Sequence, residues 1–192
     1  MSEIWLVRHG ETEWSRSGAH TGRTDIPLTD AGRTQAEAIG RRLAGRRFGL
    51  VLTSPLARAQ ETCRLAGYGA CAQVDGNLRE WDYGGYEGRT TAEIRRERPD
   101  WWLWRDGVPE GETLAQVAER AERTIARVEP VLAREDVLLF AHGHLLRILA
   151  ARWAKLAPEE GARLVLGTAA LSSLGYERET RAITRWNLSA SE

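Results

Sequence analysis

The chain has 192 residues, with 27 basic and 27 acidic side chains that leave no formal net charge while its four histidines are neutral. It is long enough to bury a full core without disulfides or metals, and a charged fraction of 28% with well-spread aliphatic segments excludes a disordered chain. The charge balance also excludes a sequence-independent nucleic-acid binder, which needs an excess of basic charge to displace counterions from phosphates.

Residues 4 to 8, IWLVR, form a short apolar run that breaks before Gly10, the pattern of a buried strand. The following SRSGAHTGRTDIPLTDAG, rich in Gly, Ser, Thr and Asp, predicts a loop. From Thr29, a candidate N-cap, Ala31, Ala36, Ile39 and Leu43 fall on one helical face. FGLVLTS (48 to 54) repeats the strand design, and Pro55 is expected to open a second helix through LARAQETCRLAG. A weaker strand is placed over 71 to 75, and LREWDYGGYEG favours neither period and reads as a loop.

Thr90 to Arg98 reads as a short helix closed by Pro99. DWWLWRDGVPEGE is an aromatic, turn-rich excursion, and its Trp101, Trp102 and Trp104 are either a local core patch or a lid over a ligand. From Glu112 a long helix carries Leu114, Val117, Ala118, Ala121, Ile125, Val128 and Leu132 on one side. DVLLFA (136 to 141) is a third strong strand, broken by a His-Gly pair ahead of the helix HLLRILAARWA. LSSLGYERETRAITRWN has two alternating segments around a polar turn, the pattern of a terminal hairpin. Strands alternating with helices predict an α/β three-layer sandwich with a mostly parallel central sheet, as one domain over 1 to 192.

Cys63 and Cys71 are too few for a disulfide framework or a four-cysteine zinc site, and both are read as small buried apolar residues in a reducing compartment. No window approaches the ~18 apolar residues of a membrane span, and MSEIWLVRHG has no basic leader ahead of a long apolar stretch. The expectation is a cytoplasmic protein with neither membrane nor nucleic-acid partner; the oligomeric state is not readable. Lys155 is the lone lysine and precedes Leu156, so no Walker-type lysine is present.

LVRHG, VLTSPLAR and LLFAHGH end at comparable points, and ligands of open α/β sheets gather beyond the C-terminal strand ends. Arg8, His9, Ser54, Arg58 and His142 are therefore expected to be neighbours. A lone strand-end histidine is more often structural, and a lone arginine is more often a solvated helix residue. The second His-Gly pair, and the place of Arg58 in the first turn of a helix whose N-terminus favours anions, shift the balance toward function. Two imidazoles among two arginines suit an anion rather than a metal, and a phosphoryl dianion matches guanidinium forks while a neutral imidazole nitrogen can attack phosphorus. His142 and His144 could instead form a metal pair, although they lack neighbouring carboxylates. For Glu80 an ordinary surface acid is the competing reading.

LVRHGETEW, TSPLARAQET, LREWDYGGYEG and AHGHLLR, in this order from residue 4 to about 150, resemble the motifs of the histidine phosphatase superfamily, the phosphoglycerate-mutase-like proteins. The resemblance implies their fold, the absence of a metal or other cofactor, and roles for matching residues. His9 matches the histidine that becomes phosphorylated, Arg8 and Arg58 match the arginines that hold the phosphoryl group, and His142 matches the second histidine. Glu80 matches the acid that protonates the leaving oxygen. Ser15 stands where many relatives carry an asparagine on the phosphoryl group, Thr21 and Gly22 match a loop over the substrate, and His144 stands where mutases often carry asparagine.

Elementary chemistry supports those roles. An alkoxide leaves phosphorus slowly unless a proton is delivered, and the same carboxylate can later take a proton from water attacking the phosphohistidine. Arg8, Arg58 and His142 would neutralise charge on the phosphoryl oxygens. Arg8 is further expected to disfavour a protonated His9, and Gly10 to leave room for the phosphoryl group. The short stretch between Glu80 and the second His-Gly, with tryptophans where mutases carry basic residues, favours hydrolysis. The pairing of SGAHTGRTDIPLT with EWDYGGYEG is similar to a branch holding sedoheptulose-bisphosphatase-like enzymes and broad-specificity acid phosphatases, which implies small phosphorylated metabolites, sugar phosphates among them. A phosphoglycerate mutase and a non-catalytic phosphate-binding module stay open as alternatives; Glu80 separates the latter, since binding alone needs no proton donor.

Overall fold

The central strands form where apolar runs can bury both of their faces, and that requirement builds the middle of the sheet. A computed structural model describes residues 2 to 189; Met1 and residues 190 to 192 of the expected 1 to 192 domain lie outside the described residues. The strands are Ile4–Arg8 (β1), Leu50–Thr53 (β2), Gln73–Val74 (β3), Val137–Ala141 (β4), Leu171–Glu177 (β5) and Thr180–Leu188 (β6). They form one sheet in the order β3-β2-β4-β1-β5-β6. The first four in that order run parallel, while β5 is antiparallel to β1 and closes the expected hairpin with β6.

The helices are Glu13–Ser17 (α1), Asp30–Arg42 (α2), Ala57–Leu65 (α3), Thr91–Glu97 (α4), Leu103–Asp106 (α5), Leu114–Leu132 (α6) and Gly143–Trp153 (α7). Alternate strand residues point to opposite faces, and the buried residues divide accordingly. Ile4, Leu6, Leu52, Val137 and Leu139 pack with Val117, Ala121 and Val128 of α6 and Leu145 and Leu149 of α7. Trp5, Val7, Val51, Leu138 and Phe140 pack with Ile39 of α2, Leu43, and Cys63 of α3. Each aliphatic side chain removed from water in this way contributes roughly 1.5–3 kcal/mol. The result is the expected three-layer α/β/α sandwich.

Several expectations are corrected. Residues 15 to 17, expected in the loop, belong to α1, which opens at a capping box between Thr12 and Ser15; five residues are too short to show a helical period. Pro55 does not open α3: Leu56 is its N-cap, and the N–H of Ala57 donates to Asp25 Oδ1 at 2.8 Å. The start of that helix is set by a carboxylate from a distant loop. The weak strand over 71 to 75 shrinks to the two exposed residues of β3 at the sheet edge, and Cys71 is exposed while Cys63 is buried. Trp101 and Trp104 belong to the core, whereas Trp102 is 44% exposed. Among the described residues no helix is long and apolar enough to cross a membrane.

Candidate active site

Because β4 lies between β2 and β1, the residues that directly follow these three strands stand side by side. The N–H of His9 donates to Ala141 O at 3.0 Å and that of Ser54 to Phe140 O at 2.9 Å. The rings of His9 and His142 are 5.2 Å apart, centroid to centroid. His9 is buried, and its Nδ1 lies 2.7 Å from Gly10 O. A carbonyl can only accept, so Nδ1 carries the proton and Nε2 keeps its lone pair. Burial, and after it the charges of Arg8 and Arg58, hold the His9 pKa well below its usual value. Arg8 therefore acts as expected, but burial is the larger cause.

Gly10 also answers a packing requirement. A Cβ on it would stand 2.3 Å from the backbone oxygen of Gly32, so glycine lets the segment after β1 touch the start of α2.

Arg58 is fully buried and spends its donors on main chain and imidazole. Its Nη1 donates to Thr24 O at 2.9 Å, its Nη2 to Thr21 O and Gly22 O at 3.0 and 2.9 Å, and its Nε to His142 Nδ1 at 3.2 Å. A guanidinium only donates, so His142 Nδ1 is an acceptor. Its Nε2 therefore carries the proton and donates to Ser54 Oγ at 2.8 Å. Burial, with Arg58, His9 and Arg8 behind it, pushes the His142 pKa well below its usual value. Arg8 donates through Nη1 to Leu166 O at 2.6 Å, and its Nε is buried without a partner among the described residues.

Glu80 is buried beside the first turn of α7. Its Oε1 accepts from the N–H groups of Trp81 and Leu145 at 2.9 Å each, and its Oε2 from that of His144 at 3.0 Å. The segment that carries it is held by Arg120, which donates to the carbonyls of Asn77, Arg79 and Glu80 and to both oxygens of Glu112. Glu112 in turn accepts from the N–H of Asp82 at 3.0 Å.

These residues surround a cavity of about 170 Å³ lined by, among others, Arg8, His9, Ser15, Thr21, Glu80 and Gly143. Arg58 and His142 do not line it and stand behind its floor; Gly22 is also off the wall, with its N–H given to Glu87 Oε1. Ser15 reaches the cavity, but its hydroxyl donates to Thr12 O and accepts from the N–H of Thr12, so the expected phosphoryl contact is not free. A larger hollow of about 860 Å³ on the α3 side contains none of these residues.

His20, Tyr83, His144 and Arg147, to which the sequence assigns no role, also line the cavity. Tyr83 is held protonated by burial, and its hydroxyl is hydrogen-bonded to His144 Nδ1 at 2.6 Å. Burial holds His144 well below its usual pKa and takes His20 down to about 4, so both are neutral near pH 7. As a metal pair His142 has no nitrogen to offer, because Arg58 and Ser54 occupy both of its ring nitrogens. The only signal for Tyr83 and His144 was their place inside motifs whose other residues were chosen first.

Residues 4 to 189 match the histidine phosphatase superfamily (branch 1). An acid phosphatase of Mycobacterium tuberculosis is 44% identical over 93% of this chain and 88% of its own length. Sedoheptulose 1,7-bisphosphatase of Saccharomyces cerevisiae is 40% identical over 77% of this chain and 66% of its own length. The solved structure of an open reading frame from Mycobacterium tuberculosis superposes with a TM-score of 0.94 at 42% identity, covering 98% of both chains. A mycobacterial glucosyl-3-phosphoglycerate phosphatase, solved with VO3, superposes at 0.87 with 31% identity over 98% of this chain and all of its own. With a buried neutral histidine flanked by arginines at the strand ends and the family match over residues 4 to 189, the chain belongs to the histidine phosphatase superfamily.

Proposed function

We propose that the protein is a metal-independent phosphatase that hydrolyses small phosphate monoesters, sugar phosphates among them, through a phosphohistidine on His9. The carrying observation is the state of His9: Nδ1 is tied to Gly10 O, the pKa is pushed well below its usual value, and the ring lines the cavity beside an Arg8 whose Nε has no partner among the described residues. A neutral Nε2 next to an unsatisfied cation is what attack on a phosphoryl dianion requires.

In the first step His9 Nε2 forms a bond to phosphorus while the ester P–O bond breaks, and Glu80 gives its proton to the leaving oxygen. Water then attacks the phosphohistidine, its proton passes to Glu80, the N–P bond breaks, and inorganic phosphate leaves. Arg8, on the cavity wall, holds the phosphoryl oxygens, while Arg58 acts on them through its charge from behind the floor and His142, paired with Arg58 and Ser54, supports that floor beside His9. Thr21 and Ser15 edge the substrate, and Gly22 supports the loop through Arg58. Arginines around the site repel a metal ion, which fits a reaction run on fixed cations. One domain over 1 to 192 and a cytoplasmic setting complete this reading.

The test is phosphate release from p-nitrophenyl phosphate in the presence of a chelator. Wild type is expected to turn over and to trap phosphate on His9 as an acid-labile adduct, and His9→Ala to lose turnover entirely. Release that persists in His9→Ala, or that chelator abolishes, overturns the proposal.

A further inference from the structure

The loop that lines the cavity with Ala19, His20 and Thr21 is bound to one short segment, residues 87 to 90. Ala19 bridges Thr90, the N–H of His20 donates to Arg89 O, and the N–H of Gly88 donates to His20 O. Further along the loop a side chain takes over from the backbone: Glu87 Oε1 accepts from the N–H groups of Gly22 and Thr24 at 2.8 and 3.1 Å. Gly22 makes this approach possible, since a Cβ on it would stand 2.7 Å from Glu87 Oε2 and 2.6 Å from Trp81 O.

The C=O of Thr21 and the N–H of Gly22 belong to one peptide group. A trans peptide directs the two to opposite sides, and both are taken: the N–H by Glu87 and the C=O by Arg58 Nη2 at 3.0 Å. A carboxylate and a guanidinium therefore hold the same peptide plane from its two ends, and each bond polarises the group in the sense that strengthens the other. Three of the four hydrogen bonds of Arg58 go to carbonyls of the stretch that Glu87 fixes, and the fourth goes to His142 beside His9.

Glu87 Oε1 meets two amides, and Oε2 is buried with no hydrogen-bond partner among the described residues. No cation in contact cancels the charge of this carboxylate. Burial lowers the Arg58 pKa, while Glu80, Asp25, Tyr83 and Glu87 act in the opposite direction. The other ion pair of the loop, Arg23 with Asp82 at 2.8 Å, runs through an exposed side chain and touches none of the carbonyls that Arg58 holds.

We infer that Glu87 is a positioning residue for phosphoryl transfer: through the Thr21–Gly22 peptide it fixes the loop whose carbonyls keep the Arg58 guanidinium behind His9. The inference rests on the phosphatase reading, and its link from Glu87 to Arg58 can be read without turnover.

Proton–nitrogen NMR of the full chain follows the Arg58 Nε–H, identified by its loss in Arg58→Met. Its bond to His142 is expected to protect it from solvent exchange in wild type and in Glu87→Gln, which keeps an oxygen acceptor, and Glu87→Ala is expected to remove that protection. In hydrolysis of p-nitrophenyl phosphate, Glu87→Ala is expected to lower kcat/KM about 10-fold, Glu87→Gln to recover most of the loss, and Glu87→Ala to cost less than about 3-fold in the Arg58→Met background. Arg23→Ala, which removes the exposed ion pair of the same loop, is expected to change kcat/KM less than about 2-fold. Glu87→Asp, which withdraws the carboxylate by one methylene, is expected to act as Glu87→Ala does and replaces it in both measurements where the alanine variant does not fold. An Arg58 Nε–H that stays protected in Glu87→Ala overturns the inference, as does an undiminished loss in the Arg58→Met background or an equal loss in Arg23→Ala. If wild type releases no phosphate, the phosphatase reading fails instead, and the NMR result decides whether Glu87 holds Arg58.

Discussion

Around the cavity, Arg8, Arg58 and Arg147 donate to the carbonyls of Leu166, Thr21, Gly22, Thr24, Gly161 and Ala162; on the neighbouring flank, Arg120 and Arg127 meet the carboxylates of Glu112 and Asp75 at 2.7 and 2.8 Å. A carbonyl accepts a hydrogen bond and leaves the cation its charge, whereas a carboxylate cancels it. The cavity arginines therefore project a field toward a ligand, and the flank arginines spend theirs on holding the chain segment that carries Glu80. The same residue type serves binding in one place and rigidity in the other, and the acceptor decides which.

That contrast predicts different losses in the two regions. Arg58→Met removes a cation and four hydrogen bonds behind the floor of the site. It is expected to lower kcat/KM for p-nitrophenyl phosphate about 10²-fold to 10³-fold. Arg120→Ala should act mainly on stability, about 1.5–3 kcal/mol for charge-assisted bonds, seen as a thermal midpoint lower by roughly 3–12 °C. Its loss of kcat per folded molecule should be smaller than that of Arg58→Met, because it touches the Glu80 carbonyl and not the cavity. Equal catalytic losses in the two variants would break the comparison.

The smallest effect concerns the histidines that sit among the cavity cations. His9, His142 and His144 have folded-state pKa values held well below 6.5 by burial first, and His20 is held at about 4. Below about pH 6.5 the unfolded chain takes up protons that the folded chain refuses, so stability is full above that pH and declines as pH falls. Thermal melts from pH 7.5 to 4.5 should show a falling midpoint, and His20→Asn should make the fall between 6.5 and about 4 shallower. A midpoint that is flat across this range would contradict neutral burial.

How much of this could be read in the chain depends on the range over which each signal acts. β1, β2, β4, the final hairpin and the long helix α6 follow from patterns of two or three-to-four residues that any window shows. Arg8, His9 and His142 were legible because they sit at the C-terminal ends of strands, where a sheet gathers its ligands. Arg58 was legible as a position but not in its contacts, since its partners Thr21, Gly22, Thr24 and His142 come from two distant segments. Ser15 illustrates the opposite failure: its motif position pointed to the ligand, while its hydroxyl closes the cap of a five-residue helix. Arg147 carried no signal, because what places it on the cavity wall is the pair of carbonyls at 161 and 162.

The sequence by itself determined the order of strands and helices, the three strand ends that form the floor of the site, and the class of chemistry that two imidazoles among arginines can perform. Those properties depend on residue type and on local periodicity. Only the tertiary structure decided which nitrogen of His9 is free, that Gly10 serves a backbone contact with Gly32, and which arginines keep their charge. Each of these depends on the partner met at hydrogen-bond distance, and that partner is chosen by the packing of segments far apart in the chain.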